Sequence, residues 1–184
     1  MAKNPKLKEL ILYLARRMEE EQHVGRGRIK LAKLLWRSDF GAYWTLGEPI
    51  TEATYQADQF GTSPVDEMLA IRDLQAEGRL TFHNEWDRQQ IPVSIGKAPD
   101  LSLFSGEQIA FVDDQLERYR FVSARVMVDE AHEFPAWLEI WKNGEGKHKT
   151  VPLESVFWDV KGELEDWEHE AVHLLAGELG MLPT

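Results

Sequence analysis

Apolar residues recur at spacings of three and four through Leu7, Leu10, Ile11, Leu14 and Met18. This is one stripe of an amphipathic helix, and it predicts a helix over about 4–22. The run Val24-Gly25-Arg26-Gly27 breaks it. A second helix carries Ile29, Leu31, Leu34, Leu35, Trp36 and Phe40 and ends near Trp44 to Gly47. Over residues 54–60 bulky and polar positions alternate, which predicts a short strand or an extended loop. Ser63-Pro64-Val65-Asp66-Glu67 then has the form of a helix start. Ser63 is the expected cap, Pro64 suits the first turn, and the acids favour the positive end of the helix. Met68, Leu69, Ile71 and Leu74 are its expected buried stripe, and Gly78 its end.

Segments 79–83 and 90–95 read as the two strands of a hairpin, with Pro92 marking an edge. Ser105-Gly106-Glu107-Gln108 forms a capping box for a helix running to about Tyr119. A shorter helix follows from Ser123 to about Glu130, and His132-Glu133-Phe134-Pro135-Ala136-Trp137 breaks it. Residues 143–152 contain two glycines and a proline and read as an exposed loop. A last helix is expected over about 162–179, acidic, with Leu164, Trp167, Ala171, Leu174, Leu175 and Leu179 on one side. The fold class is therefore α+β, predominantly α-helical, with a small antiparallel hairpin. Residues 1–160 make the domain and 161–184 an acidic helical extension.

Composition narrows the function classes. The chain of 184 residues contains no cysteine, which excludes disulfides and Cys-ligated zinc or iron–sulfur centres. No apolar run approaches the ~18 residues of a membrane span. The basic start with Leu10-Ile11-Leu12 is interrupted by Tyr13, Arg16 and Arg17, so it reads as a helix of the mature fold in the cytoplasm rather than a leader. The net charge is −11, divided unevenly: ten Lys/Arg and four Glu stand in residues 1–38, and eleven Lys/Arg with twenty-eight Asp/Glu in residues 39–184. Such an acidic chain is a poor candidate for holding nucleic acid through phosphates.

Two patterns hint at chemistry. His169-Glu170-Ala171-Val172-His173 matches H-E-x-x-H, which on a helix sets two histidines one turn apart for zinc, with Glu170 as general base. Leu179 stands where a third histidine would be, and acids flank the motif, so the metal-dependent hydrolase is the third-ranked reading. The order helix, helix, helix, hairpin suggests a winged-helix DNA-binding regulator, the second reading. Yet the third helix offers Asp66, Glu67, Asp73 and Glu77 against a single Arg72. No nucleophile–base pairing and no phosphate loop is present, so no cofactor is expected.

The first reading comes from three separated stretches. Lys30-Leu31-Ala32-Lys33-Leu34-Leu35-Trp36-Arg37-Ser38-Asp39-Phe40 resembles the opening K-L-x-K-L-L-Y-F-A-D-F of the Panacea antitoxin domain, the SocA-like family. Gly47-Glu48-Pro49-Ile50-Thr51 and Tyr55 through Gly61 resemble its middle segment. Its G-P-V turn is represented by Gly61-Thr62-Ser63-Pro64-Val65, with two residues inserted. Leu103 to Tyr119, then His132 to Trp137, resemble its later run. The resemblance spans 28–137. It implies a protein that binds and neutralises a cognate toxin in a bacterial or phage toxin–antitoxin pair, and in one member an adaptor that delivers the toxin to a protease. It implies no enzyme. The motif residues are Lys33, Leu34, Leu35, Trp36, Asp39, Gly61, Pro64, Val65, His132, Pro135 and Trp137. Physically, the leucines are expected in the core, Gly61 and Pro64 at a turn and helix start, and Lys33 and Asp39 beside that core as polar residues able to pair across helices. His132 and Trp137 are expected to lock a helix end to the rest of the domain.

Overall fold

The computed structural model describes residues 4–84 and 90–158. Asn4 starts the first helix, α1 (Pro5–Glu20), by accepting a hydrogen bond from the Leu7 amide at 3.0 Å. Its stripe of Leu7, Leu10, Ile11, Leu14 and Met18 is buried as the spacing predicts. The second helix, α2 (Arg28–Leu46), is apolar around most of its circumference and ends at Gly47 in the left-handed conformation. A helix without a polar face must be covered on all sides. It is packed against α1 and against five elements that follow it: β2 (Gly61–Pro64), β4 (Gln90–Ser94), α4 (Gly106–Tyr119), α5 (Ala124–His132) and the 3-10 turn Leu153–Phe157.

Between α2 and α3 (Glu67–Ala76) lies an antiparallel sheet. The strand β1 (Tyr55–Asp58) pairs with β2 on one side and with the short β5 (Thr150–Val151) on the other, giving the order β2-β1-β5. A separate hairpin joins β3 (Leu80–Asn84) to β4 (Gln90–Ser94), in register from Leu80 opposite Ser94 to Asn84 opposite Gln90. Ser105 and Gln108 form the capping box of α4 as expected, and Ser123 caps α5. The core is divided in two. One cluster joins α1, α2, α3, α4 and the start of β3. The other gathers Trp36, Phe40, Tyr55, Ala57, Ala131, Ala136, Trp137 and Val151 around the sheet. The predominantly helical α+β class expected from the sequence is the one observed.

Several expectations need correction. Ser63 and Pro64 do not start a helix: they lie in β2, opposite Gln56 and Tyr55, and α3 begins at Glu67. Strand pairing with β1 uses the segment that local capping signals assigned to the helix. The later start turns the helix, so Met68 and Leu69 are 40% and 38% exposed and the inward face is Glu67, Ala70, Ile71 and Leu74. The break after α5 is confined to Glu133 and Phe134. A further helix, α6 (Pro135–Trp141), follows with Pro135 in its first turn. Thr150 and Val151, expected in a loop, complete the sheet. The expected helix over 162–179, with His169, Glu170 and His173, lies outside the described residues.

The β1–β2 turn is held against α5 at Gly61. Its φ is +95°, and a Cβ there would stand 2.6 Å from the Ala131 Cβ and 3.1 Å from Lys33 Nζ. Gly61→Ala combines a disfavoured backbone with a backbone-anchored clash, and is expected to lower the unfolding free energy by about 2–4 kcal/mol. Urea denaturation reads this directly. A midpoint equal to that of the wild type would show that the turn is not fixed against α5.

Candidate functional site

Three charged side chains of α2 are buried: Lys30, Lys33 and Asp39, each at most 1% exposed. Lys30 Nζ donates to the carbonyls of Val24, Tyr119 and Val122, each at 2.7 Å. Tyr119 is the last residue of α4, where helix carbonyls lack i+4 amide partners, and Val122 lies in the segment just after it. Asp39 accepts from the Thr51 amide on Oδ1 at 2.6 Å and from the Thr51 hydroxyl on Oδ2, and the Tyr55 hydroxyl lies 2.7 Å from that same Oδ2. Burial pushes its carboxyl above the usual range, and these hydrogen bonds pull the other way. Among the described residues neither Lys33 nor Asp39 forms the expected ion pair across helices. Lys33 Nζ donates instead to the Thr62 carbonyl at 2.8 Å, in β2. The two residues lie nearly two turns apart on one helix and each serves a different strand or loop.

Lys33 also lines a cleft of about 240 Å³ between the first turns of α2, the β1–β2 turn and the start of α3. Arg28, Asp58 and Glu67 bring charge to the same cleft, and Ile29, Ala32 and Phe60 bring apolar surface. Glu67 is 5% exposed, and its Oε1 has no hydrogen-bond partner among the described residues. The nearest cation is Arg28, whose Nε stands 3.9 Å away, too far for a hydrogen bond. Burial pushes the Glu67 carboxyl up to about 7, against the pull of Arg28 and Lys33. Burial likewise draws the Lys33 ammonium down to about 8, opposed by Glu67 and Asp58.

The motif residues of the later segment do what the sequence led us to expect. His132 lies 3.0 Å from the Gln59 carbonyl through Nε2, and Trp137 donates from Nε1 to the Asp58 carbonyl at 3.0 Å. Their rings stack with centroids 4.4 Å apart. They therefore fasten the ends of α5 and α6 to the β1–β2 turn. Leu34 and Leu35 are fully buried, Trp36 is 3% exposed in the second core cluster, Pro64 is buried in β2, and Val65 is 47% exposed.

Sequence reasoning missed Lys30, Glu67, Tyr55 and Thr51. Signals for them were present: a lysine at 30, three residues before Lys33 within an apolar run, and the 67-70-71-74 spacing that sets Glu67 on an inward face. A second concavity, about 450 Å³, runs along the later turns of α2. Trp36, Phe40, Trp44, Phe111 and Phe134 line it, with Arg37 and Arg118 at its edges. Gly41 lets the Phe111 ring approach the helix, since a Cβ there would meet the ring at 2.8 Å. Trp44 is 57% exposed and packs on Phe157 at 5.1 Å between centroids. Among the described residues no group of three or more His, Asp or Glu is arranged to hold a metal ion, and no helix is long and apolar enough to cross a membrane.

Fold and site together define a helical α+β domain organised around one buried, charge-bearing helix. The chain belongs to the family described as Antitoxin SocA-like, Panacea domain, whose sequence model matches residues 31–138, more than half of its length. No curated protein and no solved structure matches the chain. The matched span opens in α2 and closes within α6, and takes in Lys33, Asp39, Gly61, Glu67, His132 and Trp137.

Glu67 gives the site a pH signature. In the folded chain it holds its proton up to about pH 7, and in the unfolded chain only to about 4.5. Between these values the folded state binds more protons, so stability falls as pH rises. Glu67→Gln removes the titration. Relative to that variant, the wild type is expected to lose roughly 2–3 kcal/mol between pH 4.5 and 7. Parallel pH–stability curves for the two proteins would show that the carboxyl is not desolvated.

Proposed function

We propose that this chain is an antitoxin-type binding protein. It neutralises a cognate toxin by direct contact, in the cytoplasm of a bacterium carrying the pair on its chromosome or on a phage. The observation that carries this reading is the family match across residues 31–138. The chemistry of the domain supports it. The charged groups of α2 are engaged in bracing the chain, whereas the outward features are a polar cleft and an aromatic groove. Exposed tryptophan and arginine around a concavity are the residue types that dominate protein interfaces. The proposal assigns the binding part to residues 1–160 and treats 161–184 as a separate acidic extension. It needs no cofactor and no catalytic step.

Co-expression tests it. The open reading frame beside this gene is expected to arrest growth alone and to be tolerated when this chain is present. A neighbour that is harmless alone, or equally toxic with this chain, would overturn the reading. Neutralisation that persists in a host without its main cytosolic proteases assigns simple occupancy of the toxin, and its loss assigns delivery to a protease. Trp44→Asp, at a position more than half exposed, is expected to weaken the complex roughly tenfold or more with no change in melting temperature. Unchanged affinity would exclude the α2–α4 groove from the interface.

A further inference from the structure

The cleft at the start of α2 holds two polar groups that the fold does not use up. Among the described residues Lys33 Nζ makes one hydrogen bond, to the Thr62 carbonyl, which leaves two N–H donors there. Glu67 Oε1 is buried and accepts from nothing among the described residues. An acceptor left in this state costs about 1–3 kcal/mol. Glu67 stands on the inward face of α3 with Ala70, Ile71 and Leu74, where the helix otherwise places apolar side chains.

With Glu67 ionised, as it is above about pH 7, the charges lining the cleft balance. Arg28 and Lys33 stand against Asp58 and Glu67. An incoming cation meets two cations as well as its carboxylates, and an anion meets two carboxylates. A neutral group with an N–H beside a C=O avoids both repulsions and satisfies both orphaned groups at once. The volume of about 240 Å³ admits one such side chain with its adjoining peptide, and Ile29, Ala32 and Phe60 supply walls for the methylene stem. Arg28, at the same cleft, keeps its side chain 39% exposed.

We propose that this cleft is the anchor pocket for a carboxamide side chain, Gln or Asn, of the toxin partner, with the amide N–H donated to Glu67 and the amide oxygen accepting from Lys33. The proposal rests on the antitoxin reading, but its first test needs no toxin. The full chain, labelled for ¹H–¹⁵N spectra, is titrated with N-acetylglutamine methylamide and with the corresponding glutamate and lysine derivatives. The glutamine probe is expected to give saturable shifts around Lys33, Gly61, Ser63 and Glu67, with a Kd on the order of millimolar. The charged probes are expected to bind several-fold more weakly. Glu67→Leu is expected to abolish the shifts while its unfolding midpoint stays at or above that of the wild type, since it removes an unpaired buried acceptor. In co-expression this variant is expected to lose neutralisation although it is well folded.

Three results would overturn the proposal: no saturable shifts with the glutamine probe, as when only water bridges Lys33 and Glu67; equal affinity for all three probes; or a Glu67→Leu protein that neutralises like the wild type. Failure of the wild type to neutralise strikes the antitoxin reading instead, so the two failures are told apart.

Discussion

The arrangement of this domain follows from one demand: three charges on α2 must be satisfied where water does not reach. An isolated buried charge is prohibitively expensive, and even a buried neutral polar group needs a partner. Lys30 takes its partners from the end of α4 and from the turn after α1. Asp39 takes the amide and hydroxyl of Thr51 and approaches the Tyr55 hydroxyl at the head of β1. Lys33 takes a strand carbonyl of β2. None of the three finds its counterion on a neighbouring helix. Each instead binds backbone, or short side chains next to it, so the helix dictates where loops and strand ends lie. That explains why a short sheet with strands of two to four residues holds its place in a mostly helical protein.

The same helix orders the outer surface. Its first turns form one wall of the polar cleft and its later turns one wall of the aromatic groove. The β1–β2 turn closes the cleft, and the stacked His132 and Trp137 hold that turn. Residues that name the family therefore act mainly behind the surface. They fix the geometry of a cleft whose distinctive groups, Glu67 and Arg28, the family motifs did not single out.

Helices with a one-sided apolar stripe or a capping box were legible in the sequence. The α1 stripe, the capped α4 and the 79–95 hairpin were read correctly because their signals are local. The errors cluster where tertiary pairing overrode local chemistry. Ser63-Pro64 carries a sound helix-start signal, yet its backbone is worth more paired with β1. That misplacement gave Met68 and Leu69 the inward places that Glu67 and Ala70 take, beside the correctly read Ile71 and Leu74, and so hid Glu67. Lys33 and Asp39 were recognised as polar residues beside the core. Their partners, the Thr62 carbonyl and the Thr51 amide, are backbone groups, and side-chain identity carries no information about those. The outward aromatic groove was not legible because periodicity distinguishes inside from outside but does not show which outward residues share a concavity.

The Lys30 ammonium bears on how the chain is made. Its carbonyl partners at Tyr119 and Val122 lie about ninety residues further along. Until residue 122 is in place, this ammonium has only the Val24 carbonyl and water to meet, so the native surroundings of α2 are complete only when two-thirds of the chain has been made. Contacts of such long separation tie the placing of α2 to a segment far beyond its own neighbours.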